Sequence, residues 1–350
     1  MILSWILDHF RALRLDAWEL FGLVGEGLFF ARMLAQWGAS EKARRPVLPV
    51  VYWHLSLAGA AIVAVYALHI KSLAVLLPQA AGLVFYARGL TLEFAHRARQ
   101  RLRDAAGFDR PDFAWPALSV IVPARNEEKT LAATLDNLRA AASRYPGRTE
   151  IIAALNGCAD NSPAIARAAP GVAVVESERS GISFGKNLGA AAAAGDLLVF
   201  VDADTTIPED GLRRLAETLH GVARPAATVA GAPDRGGGVV RACFWLANRV
   251  CARNRLHAPG GVFALPRDVF RAIGGLDETL PQGTSTDVLR RAMAAGATYV
   301  YVDSFRATTS IRRFEKTGIV RQLLAWRRNH RDLERNRRDA VAARTYEDIR

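Results

Sequence analysis

The stretch Leu197-Leu-Val-Phe-Val-Asp-Ala-Asp-Thr205 decides how the chain folds. Residues 197–201 read as a very apolar strand of the kind buried in a mostly parallel sheet. The strand runs straight into Asp202 and Asp204, so it delivers two carboxylates, one residue apart, to its carboxyl end. Ligands of open α/β sheets bind beyond that end. Two carboxylates on an irregular strand end can both turn towards a hard divalent cation, which in turn grips phosphate oxygens. Taken alone an Asp-x-Asp triplet is weak evidence, because ordinary surface turns produce it often; its weight comes from what surrounds it.

Upstream, from Ala117, strands and helices alternate as a parallel sheet requires. Leu118 to Val122 reads as a strand, Glu127 to Ala142 as a helix, Glu150 to Leu155 as a strand and Asp160 to Ala168 as a helix. Val172 to Val175 is a third strand and Asn187 to Ala194 a helix leading into 197–201. From Asn329 the chain is so charged that a solvated helix or tail is expected.

The first third has another texture. After an amphipathic start, apolar stretches run over 18–37, 50–69 and 73–92, each approaching the roughly 20 residues that cross a hydrocarbon core as a helix. No cleavage-site pattern follows the start, so these segments are expected to stay. Lys42, Arg44 and Arg45 fill the first connection, and Arg97, Arg99, Arg101 and Arg103 follow the third stretch. Placing both groups inside puts the N-terminus outside and everything after residue 95 in the cytoplasm. Glu19, Glu26 and Arg32 in the first stretch are costly in lipid, and a soluble helical domain is the competing reading. The expected division is an amphipathic segment 1–17, a membrane domain 18–95, a basic linker 96–116, an α/β domain 117–330 and a charged tail 331–350.

A formal charge of +12, from 46 Lys+Arg against 34 Asp+Glu, suits an anionic partner. The arginines flank apolar segments and no stacking motif accompanies them, which favours a membrane surface over nucleic acid. Cys158, Cys243 and Cys251 are odd in number and lack metal-ligand spacing, so neither a disulfide framework nor a zinc site is indicated. Between Cys243 and Arg255, Phe244, Trp245, Leu246 and Val250 mix with Arg249, Arg253 and Arg255. Such a helix can lie on a lipid surface or pack into the core.

Several blocks now fall in order: Ser119-Val-Ile-Val-Pro-Ala-Arg-Asn-Glu-Glu128, Gly185-Lys-Asn-Leu-Gly189 with Ala194-Gly195-Asp196, and Val199 to Thr205. Gly274-Gly-Leu-Asp-Glu278 and Thr308-Thr-Ser-Ile-Arg-Arg313 follow, and Gln322 and Trp326 keep the spacing of a further Gln-x-x-Arg-Trp element in which Ala325 replaces the arginine. Over roughly residues 117 to 328 the chain resembles family 2 glycosyltransferases. The resemblance implies a GT-A fold, a Rossmann-like mixed sheet, and inverting transfer from a UDP- or GDP-sugar with Mg²⁺ or Mn²⁺. It also implies roles: Pro123, Ala124, Arg125 and Glu127 around the donor's base and ribose, Lys186 near its phosphates, and Asp202 and Asp204 at ribose and metal.

Two positions depart from that pattern. Leu155-Asn156-Gly157 stands where the family ends its second strand with paired aspartates, which leaves the Asn156 amide for the nucleoside. Thr284 and Ser285 stand where it supplies a Glu-Asp pair as acceptor base. The nearest carboxylate is Asp287. An inverting transfer needs a base beside an acceptor hydroxyl but none beside an ionised phosphate. Either Asp287 takes the role, or the acceptor is an anion such as a polyprenyl phosphate, held by Arg290, Arg291, Arg312, Arg313 and Trp326. A lipid A-like or sphingolipid hydroxyl is the alternative acceptor, and a catalytically dead scaffold or lipid carrier the alternative class.

The membrane part carries its own resemblance. Gln36-Trp37, Ser40-Glu-Lys42, Pro46, Pro49, Trp53, Leu55-Ser56, Gly59, Tyr66, Pro78-Gln79, Gly82 and Tyr86-x-Arg88 are similar to the lipid A biosynthesis N-terminal domain. It implies a lipid pathway and a multi-pass protein of the bacterial inner membrane.

Overall fold

A computed structural model describes residues 16–110, 112–255, 259–280 and 283–312, together with 315 and 318. The expected amphipathic start and charged tail lie outside these residues. The chain divides into two compact units, Met1–Pro111 and Asp112–Arg350.

Among the described residues the first unit has three helices, α1 (Ala17–Ala43), α2 (Val50–His69) and α3 (Leu73–Ala106). The Asp16 carboxylate accepts from the backbone N–H of Glu19 at 2.7 Å and caps α1. Arg44, in the left-handed region, ends it. α1 and α2 pack where both lack a side chain: a Cβ on Gly25 would stand 2.6 Å from Val63, and one on Gly59 3.0 Å from the Gly25 carbonyl. Small residues at such a crossing let two backbones approach, as membrane helices do.

Among the described residues two helices, α2 and α3, are long and apolar enough to cross a membrane. This corrects the expected count of three. The 27-residue α1 has the length, but Glu19, Glu26 and Arg32 interrupt its apolar run. α3 runs unbroken for 34 residues to Gly107, whose left-handed backbone stops it. Residues 96–106 of the expected linker are therefore helical, well beyond the roughly 20 residues a bilayer core takes up.

The second unit is built on one eight-stranded sheet, in the order β3-β2-β1-β4-β7-β6-β8-β5. Its strands are β1 (Leu118–Ala124), β2 (Thr149–Asn156), β3 (Val172–Ser177), β4 (Leu197–Val201), β5 (Thr205–Thr206), β6 (Pro225–Pro233), β7 (Val262–Pro266) and β8 (Thr298–Thr309). The helices between them are α4 (Leu131–Ser143), α5 (Ser162–Ala168), α6 (Ile182–Ala192), α7 (Gly211–Leu219), α8 (Gly238–Asn254), α9 (Arg267–Ala272) and α10 (Thr284–Ala294). β3, β2, β1 and β4 are parallel, and β7 then pairs antiparallel with both β4 and β6. The result is the mixed sheet expected.

β4 is buried on both faces, which is why it reads as an unbroken apolar run. Val120 and Val122 face a core with Leu131, Leu135 and Leu138. Ile121 faces the other, where Phe200 and its cross-strand partner Phe263 stack 4.5 Å apart. At the amino end of β4 a Cβ on Gly195 would stand 2.7 Å from the Ser119 nitrogen. The Glu150 carboxylate accepts there from the N–H groups of Ala194 at 2.7 Å and Gly195 at 3.1 Å. Ala194-Gly195-Asp196 thus shapes the end of the strand opposite the two aspartates.

Candidate active site

β4 ends at Val201, and the segment from Asp202 to Ile207 is held from two sides, by Gly261 and by α4. The Asp202 N–H donates to the Gly261 carbonyl at 3.0 Å. From α4, the Thr134 hydroxyl donates to the Ala203 carbonyl at 2.8 Å. The Asn137 amide exchanges hydrogen bonds with the backbone of Ile207 at 2.8 and 2.9 Å. Gly261 has φ +64°, and a Cβ there would stand 2.8 Å from the Thr205 hydroxyl oxygen and 3.0 Å from Asp202 Oδ2. Only glycine takes that backbone and leaves the carboxylate room.

Lys186, on α6, is 2% exposed and its ammonium lies 3.1 Å from Asp202 Oδ1. The same Nζ lies 3.4 Å from the Ser285 hydroxyl, so one of the two residues that replace the family's Glu-Asp pair does border this cluster. Asp204 lies 3.4 Å from Arg312 Nη2, which also donates to Glu127 Oε2 at 2.7 Å. Glu127, Asp202 and Asp204 therefore stand together against two cations. Burial first, then the charges of Asp202 and Glu127, push the Asp204 carboxyl up to about 6, and Arg312 offsets this only in part.

No set of three or more His, Cys, Asp or Glu is gathered to hold a metal ion among the described residues. That is compatible with Mg²⁺ and Mn²⁺ sites of a particular kind, because Mg²⁺ is usually taken by one or two carboxylates plus substrate phosphates. Asp202 and Asp204, with side chains 40% and 24% exposed, fit that donor set, and the crowding of negative charge at Asp204 is what a cation would relieve.

The loop after β1 is built as a rigid edge. Pro123 and Ala124 close β1, and Arg125 and Asn126 follow, Asn126 with φ +53°. Asn126 Oδ1 accepts from Ala159 N–H at 2.6 Å, the Ser162 hydroxyl oxygen accepts from Glu127 N–H at 2.8 Å, and Asp160 accepts from Glu128 N–H at 3.0 Å. Asn156 is buried and its amide donates to the Gly181 carbonyl at 2.9 Å. A Cβ on Gly185 would meet its Oδ1 at 2.6 Å. Asn156 thus ties β2 to the start of α6, where a nucleoside contact was expected.

Asp287 lies apart from the aspartate pair in exposure and partners. It is 0% exposed and accepts from Arg291 Nε at 2.7 Å. The rest of that guanidinium donates to the carbonyls of Ile273 and Gly275 at 2.7 Å each. Both residues, one expected as base and one as phosphate ligand, are engaged in fastening the Gly274-Gly275 turn to α10. Asn187 grips the same turn, with Leu276 and Glu278 as its partners. Arg290 is half-buried on α10. Arg313 and Trp326 lie outside the described residues.

Sequence reasoning missed Gly231, Asn248 and Gly261. The Asn248 side chain, on α8, exchanges hydrogen bonds with the backbone of Gly231 at 2.9 and 2.7 Å. A Cβ on Gly231 would stand 2.6 Å from Gly260 N. α8 is thereby linked through Gly231 and Gly260 to the Gly261 carbonyl under Asp202. Its Phe244 is buried, while Val239, Trp245, Leu246 and Val250 are exposed, with the Arg249 guanidinium 5.0 Å from the Trp245 ring. One face of the helix packs, and the other is an apolar, basic surface. The Pro259-Gly260-Gly261 turn before β7 was the signal available for the glycines.

Residues 119–273 match the family model for glycosyl transferase family 2, and residues 21–91 that for the Lipid A Biosynthesis N-terminal domain. Curated proteins offer no match to the chain. Among solved structures, S. aureus TarS 1-349 is similar at 16% identity and TM-score 0.44, over 55% of this chain and 60% of that one. The chain therefore spans less than two thirds of that relative. The mannosyltransferase PcManGT from Pyrobaculum calidifontis, in complex with GDP-Man and Mn²⁺, is similar at 18% identity and TM-score 0.45, over 69% of this chain and 75% of that one.

Proposed function

We propose that this chain, which carries a glycosyl transferase family 2 domain behind a lipid A biosynthesis N-terminal domain, moves one sugar from a UDP- or GDP-sugar to a lipid-linked acceptor, with a polyprenyl phosphate favoured. The observation that carries the reading is the cluster at the end of β4, where Asp202 and Asp204 stand half-exposed beside Lys186 and Arg312. Asp202 and Asp204 would hold Mg²⁺ or Mn²⁺, which when bound supplies positive charge against the departing diphosphate. Lys186, almost wholly buried 3.1 Å from Asp202, would add a fixed donor for the phosphates on the same side without reorganising.

Inverting transfer forms a bond from an acceptor oxygen to the anomeric carbon as the bond to the donor's β-phosphate oxygen breaks. An acceptor hydroxyl must lose its proton to a base in reach. Asp287 is buried against Arg291, and Thr284 and Ser285 have no carboxylate, so an acceptor that arrives ionised fits this site best. The exposed apolar, arginine-bearing face of α8 supports an acceptor met at a lipid surface.

The distribution of basic residues supports a bacterial inner-membrane protein with the catalytic unit in the cytoplasm. Comparing membrane lipids by mass spectrometry with and without the gene tests the reading. A phospholipid-like species lighter by one sugar in the deletion is expected; identical lipid profiles would contradict it.

A further inference from the structure

Arg32 lies within the three-helix unit, where a cation in lipid needs a counter-charge. Its Nη1 donates to the Ser56 hydroxyl oxygen on α2 and to the Tyr86 hydroxyl oxygen on α3, both at 3.0 Å. Ser56 is wholly buried and its hydroxyl donates a hydrogen bond to the Tyr52 carbonyl at 2.6 Å. The rings of Phe29, Tyr52 and Tyr86 stand 4.5, 5.3 and 5.4 Å from the guanidinium carbon. Hydroxyls and ring faces bring partial charge only, and among the described residues no carboxylate pairs with Arg32.

The remaining edge of the guanidinium has no partner among the described residues. Nε is closed to solvent and has no acceptor, and Nη2 has none among the described residues. Nε–H and Nη2–H are the parallel pair with which arginine takes two oxygens of one anion. Ser56 lies six residues into α2 (Val50–His69), about 9 Å from its first residue at 1.5 Å per residue. At that end the α1–α2 connection carries Lys42, Arg44 and Arg45.

We propose that Arg32, braced by Ser56 and Tyr86, is a binding site for the phosphate of a lipid in the membrane unit. The inference rests on the proposed function only for the identity of that lipid, an isoprenoid phosphate on its way to or from the catalytic unit. Ring faces around the guanidinium hold it flat and leave its free edge to the ligand.

The full chain in detergent, without any nucleotide-sugar, is titrated with farnesyl phosphate, farnesol or inorganic phosphate and read by native mass spectrometry. Farnesyl phosphate is expected to bind, with farnesol and inorganic phosphate at least tenfold weaker. Arg32→Gln should weaken farnesyl phosphate at least tenfold, Arg32→Lys less, and Tyr86→Phe, which removes a brace but keeps the charge, by under threefold. Undiminished binding in Arg32→Gln overturns the proposal. So does a loss in Tyr86→Phe equal to that in Arg32→Gln, which would make the effect one of helix packing. Equal binding of inorganic phosphate would overturn the lipid assignment. Sugar transfer fails independently: a chain that transfers normally yet binds farnesyl phosphate without Arg32 sinks this site alone, and one that binds through Arg32 but transfers nothing sinks the proposed function alone.

Discussion

Two groups of carboxylates in the catalytic unit have opposite surroundings. Asp202 and Asp204 are partly exposed at the carboxyl end of β4, with Glu127 adding a third negative charge, and two cations shared among them. Asp287 is wholly buried with Arg291, and the rest of that guanidinium is occupied by two backbone carbonyls. The first group holds charge in excess and open to a ligand, which is the condition for binding a cation and phosphates. The second is balanced and closed, so its energy goes into fixing the Gly274-Gly275 turn. Removing one member of such a pair leaves a buried charge behind, which costs far more than the pair contributes net.

The comparison breaks most visibly at Asp204. Asp204→Asn should cut transfer by roughly 10³-fold, because charge stabilisation by a bound metal is worth several kcal/mol. Its melting temperature should stay within about 2 °C of wild type, since the substitution relieves crowding. A stable variant with undiminished turnover would remove the pair from the chemistry. Gly261→Ala comes next. The left-handed backbone alone costs about 1–2 kcal/mol with a side chain, and the new methyl meets Thr205 and Asp202. Turnover roughly tenfold lower is expected with melting a few degrees lower; an unchanged rate would show that the seat of Asp202 is loose.

Asp287→Asn should do the reverse. A stability loss of about 3 kcal/mol is expected in denaturant unfolding of the catalytic unit, with turnover per folded molecule within about threefold of wild type. A hundredfold slower rate in folded protein would make Asp287 the base after all.

The aspartate pair was legible because an apolar run of five residues can lead nowhere but out of a buried strand. Lys186 was legible in place but not in partner: its role beside the phosphates was expected, its pairing with Asp202 and Ser285 was not. Arg312 was assigned to the acceptor. In the fold it joins Glu127 and Asp204 across separations of 185 and 108 residues, and no local pattern carries such a contact. Asp287 reads the same in sequence whether it opens a helix towards solvent or closes one against Arg291; only the packing of α10 decides. In the first unit, apolar length located all three helices, but how many are apolar enough to cross a membrane depended on what Arg32 and the two glutamates of α1 do to its apolarity.

If Asp287 is architectural and the exposed pair performs the chemistry, the acceptor must bring its own charged nucleophile. The direct measurement is transfer of radiolabelled sugar from UDP- and GDP-sugars to farnesyl phosphate and, separately, to farnesol, by the full chain in detergent with Mg²⁺ or Mn²⁺ and again with excess EDTA. Labelled farnesyl phosphate is expected in the presence of the cation, none with EDTA, and no more than a trace on farnesol. Efficient labelling of farnesol with farnesyl phosphate inert, or transfer that persists in EDTA, would contradict it.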